Sequence, residues 1–429
     1  MMPPRLPFPT AEEIVTSRAR REPMRPALEW HHRGMLLGRL ADLTAATADA
    51  LTGLVPPGAC VAQLMSSTPG VVVMTLGIWR AGCTAVPLDP ALPIDELARR
   101  VRHSGVHTVV VHEEHVDPAR EVLRLVGGPV QLLVSRGPDL LPAGRTTRPR
   151  PMSARRGAAR ARRSASVYDT AFHAWVTTRD GTPRAVLLSH ANVVASALRL
   201  SGGRGDGPDD VALATHALHD VSGLVAEVLS RLISGGSAAI LGPGGADAVL
   251  HTIEEYRVTD LSLSSDHVAQ LLELRRIPRR VIRSVRKILL RNVRLPMTVK
   301  HELADRFPDA ELIQSYGRPE STAGILMARQ EELFRKADTL GKPHPGLVVG
   351  VVDEAGKLLR PGQRGEIVCR GAVVMQGYHR APALTREALR AGWLHTGDLG
   401  YIDEDGAFEL VGTVPVPKAR RDATAGVRT

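Results

Sequence analysis

Cysteine and aromatic residues are scarce in this sequence. Its 429 residues include three cysteines, and phenylalanine, tryptophan and tyrosine together make up 3% of the chain. Cys60, Cys83 and Cys369 lie far apart and form no CxxC pair, which argues against a disulfide framework and against a cysteine-based zinc site. We therefore expect each thiol to be a small buried side chain rather than a nucleophile.

Long apolar runs are also missing. The longest, residues 71–79, is too short to span a bilayer, and residues 1–10 contain no signal-type hydrophobic core. These features predict a cytoplasmic protein without a membrane partner. The 40 glycines and 31 prolines are typical of a mixed α/β protein with many turns. The chain length suffices for about two or three compact units.

The positive charge is concentrated in two segments. The formal net charge is +10, but residues 145–163 contain eight arginines and no acidic residue, and residues 418–429 contribute a further +3. The remainder of the chain is therefore close to neutral. Because neither segment has apolar periodicity or interleaved aromatic residues, we predict an Arg/Pro-rich linker and a basic tail, both solvated. Nucleic-acid binding is the less favoured alternative.

Helical and strand patterns alternate in the first part of the chain. The alternation begins with a helical spacing over residues 36–54 and a strand over residues 59–65, and it repeats twice by residue 111. Such alternation predicts a parallel sheet covered by helices. After residue 341, short strands separated by turns predict a small antiparallel, barrel-like unit.

The most informative stretch is residues 393–412. A polar Thr-Gly-Asp turn at residues 396–398 precedes a predicted strand, and a hairpin signal at Asp405-Gly406 separates two short apolar runs. The glycine turn would hold Asp398, whose carboxylate can accept both hydrogens of a vicinal diol such as that of a nucleotide ribose. A solvated surface turn is the alternative that this pattern leaves open.

Three of four further blocks combine small, hydroxyl-bearing and charged residues in predicted loops. Their candidate residues are Thr177, Gly181 and Arg184 in the first block, His219, Asp220 and Gly223 in the second, and Tyr316, Gly317 and Glu320 in the third. Considered singly, each block has a structural alternative: a strand-to-helix connection, a structural histidine and a polar turn.

Together the blocks resemble the adenylate-forming superfamily, which comprises acyl-CoA synthetases, peptide-synthetase adenylation domains and luciferases. The resemblance extends from about residue 28 to residue 412. It implies an α/β fold with two doubly wound parallel-sheet subdomains and a small β-barrel-like subdomain, without the family's C-terminal small domain. The predicted units are residues 1–136, the linker 137–166, residues 167–340, residues 341–412 and the tail 413–429.

The resemblance also implies roles for the candidate residues. Arg184 would contact phosphate in place of the family's lysine, Glu320 would hold Mg²⁺, and Asp398 would bind the ribose. The other nucleotide-binding residues that it implies are Thr177, Gly181, Tyr316 and Gly317.

His219, Asp220 and Gly223 are implied to border the substrate pocket. The spacing from Asp220 to Gly235 matches the acyl-CoA-synthetase branch better than the amino-acid-activating branch. The resemblance therefore implies a small carboxylic acid, acyl or aryl, as the substrate.

Several positions depart from the family pattern. Thr178 stands where glycine is expected, Arg179 and Asp180 replace hydroxyl residues, and Pro319 replaces a threonine. Residues 291–295 replace a glycine-containing turn that would pass beneath the adenine. We therefore expect degenerate nucleotide motifs and impaired catalysis.

Two functions remain open. The first is ATP-dependent adenylation of a carboxylic acid, with ATP and Mg²⁺ bound and the thiol of CoA or of a carrier protein as the acceptor. The second is a non-catalytic or truncated descendant that acts as a binding or scaffold module. In either case, a carrier protein or a protein that supplies the small domain is a candidate partner.

The arginine-rich segment leads to a testable prediction. Because residues 145–163 have neither apolar periodicity nor acidic partners, limited trypsin digestion should cut there first. We expect two fragments that elute together in size-exclusion chromatography and separate in denaturing electrophoresis. Protection of this segment would contradict the linker prediction and would favour a bound polyanion.

Overall fold

The computed structural model describes residues 9–136, 141–145, 165–177, 182–242, 244–336 and 338–413. Its first helices are α1 (Ala11–Arg21), α2 (Leu37–Thr52), α3 (Pro69–Arg80), α4 (Ile94–Ser104), α5 (Val116–Val126), α6 (His190–Arg204) and α7 (Ser230–Ser234). They are followed by α8 (Ala246–Tyr256), α9 (Ser265–Glu273), α10 (Arg279–Ile282), α11 (Met297–Arg306), α12 (Gln330–Arg335) and α13 (Pro382–Ala388). A π-helical segment, Ser222–Leu229, leads into α7, and 3₁₀ turns lie at Glu113–His115 and Pro319–Ser321.

The strands are distributed along the whole covered chain. The first are β1 (Pro26–Trp30), β2 (Arg33–Leu36), β3 (Cys60–Leu64), β4 (Thr84–Leu88), β5 (Thr108–His112), β6 (Gln131–Arg136), β7 (Leu141–Arg145), β8 (Thr170–Thr177), β9 (Pro183–Ser189), β10 (Val211–Ala214) and β11 (Ser237–Ile240). The remaining strands are β12 (Asp260–Leu263), β13 (Lys287–Arg291), β14 (Glu311–Arg318), β15 (Ala323–Arg329), β16 (Thr339–Pro343), β17 (Val348–Val352), β18 (Gly365–Arg370), β19 (Gly377–Tyr378), β20 (Leu389–Arg390), β21 (Trp393–Ile402) and β22 (Phe408–Thr413).

These strands form two mixed sheets. The first sheet has the order β19-β9-β8-β4-β3-β5-β6-β7, and its strands from β8 to β6 pair in parallel. The second has the order β17-β18-β21-β22-β16-β15-β14-β13-β12-β10-β11-β1-β2. Its strands from β14 to β1 pair in parallel, whereas the strands on the other side of β14 are antiparallel. Parallel strands end at the same edge of a sheet, so each sheet has an edge suited to ligand binding.

The predicted alternation of strands and helices in the first part of the chain is confirmed. Strands β3, β4 and β5 fall on the predicted segments, and α3 lies between β3 and β4. Helix α3 is buried along almost its whole length, which explains its continuous apolar sequence. The Trp79 indole N–H donates to the Ala171 carbonyl oxygen over 2.7 Å and thereby links α3 to β8.

Sheet membership differs from the predicted domain boundaries. Strands β1 and β2 belong to the second sheet although they lie within residues 1–136. Strands β8 and β9 complete the first sheet although they lie within residues 167–340. Strand β7 lies within the predicted linker and pairs with β6, so residues 141–145 extend the first sheet. The other residues of the predicted linker up to 164, and the tail from residue 414, lie outside the described residues.

The β-rich unit between residues 341 and 412 is tied to both sheets. Strands β18, β21 and β22 continue the second sheet because β22 pairs with β16. Strand β19 leaves this unit and pairs with β9 of the first sheet. The unit therefore holds β21 beside the carboxyl end of β14. None of the helices in the covered ranges combines the length and apolarity needed to cross a membrane.

A buried ion network lies at the amino ends of strands of the second sheet. Arg231 is 1% exposed, pairs with Asp206, and places its Nη2 3.2 Å from Asp260 Oδ2. Lys287 Nζ lies 3.3 Å from Asp206 Oδ1 and 3.5 Å from Asp260 Oδ1. Burial lowers the pKa of the Arg231 guanidinium well below its usual value. The network connects α7 with the amino ends of β12 and β13.

Arg231→Ala should destabilise the protein strongly, because it leaves two buried carboxylates with less compensating charge. We expect the free energy of unfolding to fall by about 3–5 kcal/mol in denaturant titrations. Arg102→Ala, on the exposed face of α4, is the matched control and should change it by less than about 0.5 kcal/mol. A similar loss in both variants would contradict a structural role for the network.

Candidate functional site

A cavity of about 330 Å³ lies where the carboxyl end of β14 meets β21. Its lining includes Asn292, which follows β13, Tyr316 and Arg318 on β14, and Asp398 on β21. Gly317 also borders this cavity. The structure thus brings together Tyr316, Gly317 and Asp398, which the sequence placed in two separate blocks. The position, outside the carboxyl ends of parallel strands, is the usual ligand position in open α/β sheets.

Tyr316 and Asp398 are joined directly. The Tyr316 hydroxyl donates to Asp398 Oδ2 over 2.6 Å, and the two residues are 7% and 9% exposed. Burial, followed by the neighbouring Asp398 carboxylate, raises the pKa of the Tyr316 phenol. The phenol therefore remains a hydrogen-bond donor at neutral pH. This bond fixes the tyrosine ring at the cavity wall and orients the carboxylate.

Arg318 is a second partner of Asp398 that the sequence did not reveal. Its Nη1 lies 3.2 Å from Asp398 Oδ2 and also donates to the Thr396 carbonyl oxygen. Burial acts to lower the pKa of the Arg318 guanidinium, but the carboxylates of Asp398 and Glu320 outweigh it, and the net shift is upward. Asp398 Oδ2 thus accepts from both a phenol and a guanidinium.

The Thr-Gly-Asp turn lies within β21 rather than before a strand. The register between β18 and β21 shifts so that Glu366 opposes Leu399 while Val368 opposes His395, which makes residues 396–398 a bulge. Gly397 has a φ of +74°, a conformation that favours glycine. Its N–H donates to Glu366 Oε1 over 2.7 Å. The bulge interrupts the strand and turns Asp398 towards the cavity.

Asn292 lies in the segment 291–295, which replaces the family's glycine-containing turn, and it adopts a left-handed backbone conformation. It has a φ of +51°, and its Oδ1 accepts from the Gly317 N–H over 3.1 Å. Asparagine is among the few residues other than glycine that adopt this left-handed conformation readily. The preceding Arg291 is buried away from the turn, where its Nε donates to Ser262 Oγ over 3.0 Å. The expected turn therefore has an open face at the cavity.

Gly317 has a steric requirement of its own. A Cβ at this position would overlap the carbonyl oxygen of Ala323 on the neighbouring strand β15. The register between β14 and β15 is irregular at Tyr316 and Gly317, and this irregularity brings the two backbones together. Glycine here allows β14 to end beside the cavity.

Glu320 lies in the 3₁₀ turn after β14. The Tyr378 hydroxyl donates to Glu320 Oε1 over 2.9 Å, while Oε2 is buried without a hydrogen-bond partner among the described residues. Burial, followed by the Glu320 charge, raises the pKa of the Tyr378 phenol. A buried carboxylate oxygen without a partner suits a hard cation such as Mg²⁺. Tyr378 was not predicted, because it lies 58 residues away in sequence.

A second cavity of about 180 Å³ brings together Thr177, His219 and Asp220. Trp175 and Asp89 also line it, at the carboxyl ends of β8 and β4. His219 Nε2 lies 3.8 Å from Asp89 Oδ2 and 4.0 Å from Asp220 Oδ2. The histidine therefore lies between two carboxylates at the same sheet edge as the end of β8.

The remaining predicted residues have other surroundings. Gly223 is buried at the start of the π-helical segment, where a Cβ would overlap the carbonyl oxygen of Ala217, so this position requires glycine on steric grounds. Arg184 lies on β9 opposite Val176, and its Nε is buried without a hydrogen bond among the covered residues. Gly181 and the altered residues 178–180 lie outside the described residues.

Comparisons with known proteins identify the family of this chain. The family model described as AMP-binding enzyme matches residues 15–379. Sulfoacetate–CoA ligase from Cupriavidus necator is 30% identical over 413 residues, which are 94% of this chain and 78% of that protein. Feruloyl-CoA synthase from an Amycolatopsis species is 26% identical over 402 residues, which are 92% of this chain and 76% of that protein.

A solved structure shows the same fold. The inhibitor-bound N-terminal domain of FACL13 from Mycobacterium tuberculosis superimposes with a TM-score of 0.83 at 22% identity, covering 95% of this chain and 100% of that one. The α/β fold and the resemblance to the adenylate-forming superfamily are thus confirmed. The chain belongs to the AMP-binding enzyme family.

Proposed function

We propose that this chain binds ATP and activates a small carboxylic acid as its acyl adenylate, in the manner of acyl-CoA ligases. The observation that carries the proposal is the cavity in which Asp398, Tyr316 and Asn292 meet. Two relatives that span most of the chain are named for ligation of an acid to CoA. The substrate class is therefore a carboxylic acid, and the thiol acceptor is CoA or a carrier protein.

The first cavity suits a nucleoside. Its volume of about 330 Å³ lies within the usual range for small-molecule pockets, roughly 300–1,000 Å³. The Tyr316 ring and the turn at Asn292 offer surfaces for a flat base, and the Asp398 carboxylate can accept from ribose hydroxyls. Because Arg318 and Tyr316 already donate to Asp398 Oδ2, the diol must share this oxygen or use Oδ1.

Glu320 fits the metal that accompanies ATP. Its buried Oε2 would be one ligand of Mg²⁺, which when bound offsets the charge of the phosphates. Arg184, on β9, would place its positively charged guanidinium beside the same phosphates. Its planar guanidinium can donate in two directions, so replacement of lysine by arginine keeps the charge but changes the contact geometry.

The second cavity is the candidate site of the acid. In the reaction, a carboxylate oxygen attacks the α-phosphorus of ATP, the bond to pyrophosphate breaks, and the products are an acyl adenylate and pyrophosphate. Thr177 and His219 can donate hydrogen bonds at this position. Thioester formation follows when a thiol attacks the acyl carbon and AMP leaves.

A non-catalytic binding function is the second candidate. The observation that favours it is Pro319, which has no hydroxyl to offer a phosphate, next to Arg318, which already binds Asp398. Contacts that stabilise the transition state affect turnover more than binding. Loss of one such donor commonly lowers the rate by about 10² to 10³-fold. Nucleotide binding can therefore persist where turnover is slow.

Asp398→Ala should weaken nucleotide binding, because the ribose hydroxyls would lose their acceptor. We expect about a 10- to 100-fold rise in the Kd for AMP and for MgATP, measured by isothermal titration calorimetry. Asp405→Ala, in the exposed hairpin turn of the same unit, is the matched control and should leave the Kd unchanged. Absence of any heat from wild-type protein at millimolar ligand would remove the nucleotide site.

Pyrophosphate exchange tests catalysis separately from binding. We expect very slow or absent exchange from the unmodified chain with sulfoacetate, ferulate or fatty acids as the acid. Combining Thr178→Gly and Pro319→Thr, with a related small domain fused after Gly412, should raise the rate. Rapid exchange from the unmodified chain would contradict the expected impairment. No gain from the fused double variant would favour the binding or scaffold function.

A further inference from the structure

Two histidines and a glutamate meet at the outer edge of the second sheet, away from both cavities described above. His32 lies in the turn between β1 and β2, while His251 and Glu255 lie on α8. His32 Nδ1 is 2.8 Å from Glu255 Oε1, and His251 Nε2 is 3.5 Å from Glu255 Oε2. One nitrogen or oxygen atom from each residue lies within 4.8 Å of the others.

The local sequence explains how the three side chains converge. His251 and Glu255 are four residues apart on one helix and therefore share a face. The β1–β2 turn contains His31 and His32, with φ values of +45° and +60°. Such turns are usually built from glycine, asparagine or aspartate, so two consecutive histidines there are strained. The strained turn presents the His32 imidazole to α8.

Two imidazoles and a carboxylate are donors that transition-metal ions accept. Zinc binds imidazole nitrogen and carboxylate oxygen at about 2.0–2.2 Å, and neighbouring ligand atoms around a tetrahedral ion are then roughly 3.3 Å apart. The separations of 2.8 and 3.5 Å bracket that value. The His32 and His251 side chains are 70% and 61% exposed, so they can rotate towards an ion. Water can fill the remaining position.

The cluster of His32, His251 and Glu255 differs from the buried ion network in its available charge. In that network Asp206, Asp210 and Asp260 also converge, but Arg231 and Lys287 already occupy the space between them. Within the covered part of the chain, the ion pairs of Glu255 are with His32 and His251. The two imidazoles are neutral when they are deprotonated. The negative charge of Glu255 is then not neutralised by them and can attract a cation.

We propose that His32, His251 and Glu255 form a binding site for a divalent transition-metal ion, with Zn²⁺ as the best-suited ion. The two imidazoles favour Zn²⁺ over Mg²⁺, which prefers oxygen ligands. A bound ion would join the β1–β2 hairpin to α8. Because Trp30 and His31 line a cavity of about 760 Å³ between the two sheets, the ion would also fix one wall of that cavity.

Calorimetric titration of the full chain with Zn²⁺, after removal of metals and without nucleotide, tests the proposal. We expect binding of one ion at micromolar concentration and a rise in the melting temperature on saturation. His251→Ala and Glu255→Gln should each raise the Kd at least tenfold. His107→Ala, an exposed histidine outside the cluster, is the matched control and should leave the Kd unchanged. Thermal unfolding without zinc confirms that each variant is folded.

Cobalt absorption provides a second readout that does not depend on stability. Co²⁺ in a site with two imidazoles should give visible absorption bands in wild-type protein and in His107→Ala, and these bands should be lost in His251→Ala. Absence of zinc binding by the wild-type chain would overturn the proposal. Unchanged zinc affinity in both His251→Ala and Glu255→Gln would overturn it as well, because binding would then lie elsewhere.

Discussion

The hydrogen bond from the Tyr316 hydroxyl to the Asp398 carboxylate is the contact on which the candidate site depends. It joins the carboxyl end of β14 to the bulge of β21, two segments separated by 82 residues. Both partners are buried, so loss of Asp398 would leave the Tyr316 hydroxyl without its acceptor in a low-dielectric surrounding. The contact therefore fixes the position of the carboxylate and the shape of the cavity, and Arg318 reinforces it from the same strand.

The two sheets contribute different parts of the site. The cavity lined by Asn292, Tyr316 and Asp398 belongs to the second sheet. The cavity lined by Thr177, at the end of β8, belongs to the first sheet. Strand β19 connects them, since it pairs with β9 and carries Tyr378, which donates to Glu320. Glu320 thus lies at the junction of the sheets. A cation held there by Glu320 would lie between the protein and the phosphates of the proposed nucleotide.

Departures from the family pattern affect geometry and chemistry differently. Asn292 keeps the left-handed turn that a glycine would provide, so the substitution changes the side chain without closing the cavity. Pro319, by contrast, keeps a backbone compatible with the 3₁₀ turn but removes a hydroxyl. The first change preserves binding surface, and the second removes a group suited to phosphate. This difference is the reason for the proposal that nucleotide binding is better retained than turnover.

The sequence predicted elements whose signals are local. Strands β3, β4 and β5 follow from apolar runs between helical patterns. The glycine turn at Asp398 left a solvated turn open, and only the family resemblance singled out its carboxylate. The sheet to which β1 or β8 belongs could not be predicted, because an apolar run shows that a strand is buried but not which strand it pairs with. Arg318 and Tyr378 were missed for the same reason, since their partners lie 80 and 58 residues away.

The most direct test compares the affinities of the wild-type chain for AMP and for 2′,3′-dideoxy-AMP. These ligands differ only in the ribose hydroxyls that Asp398 is proposed to bind. The account predicts that AMP binds at least about tenfold more tightly, in line with the cost of leaving a buried acceptor unpaired. It also predicts that the difference disappears in Asp398→Ala. Equal affinity of the wild-type chain for both ligands would contradict recognition of ribose by Asp398.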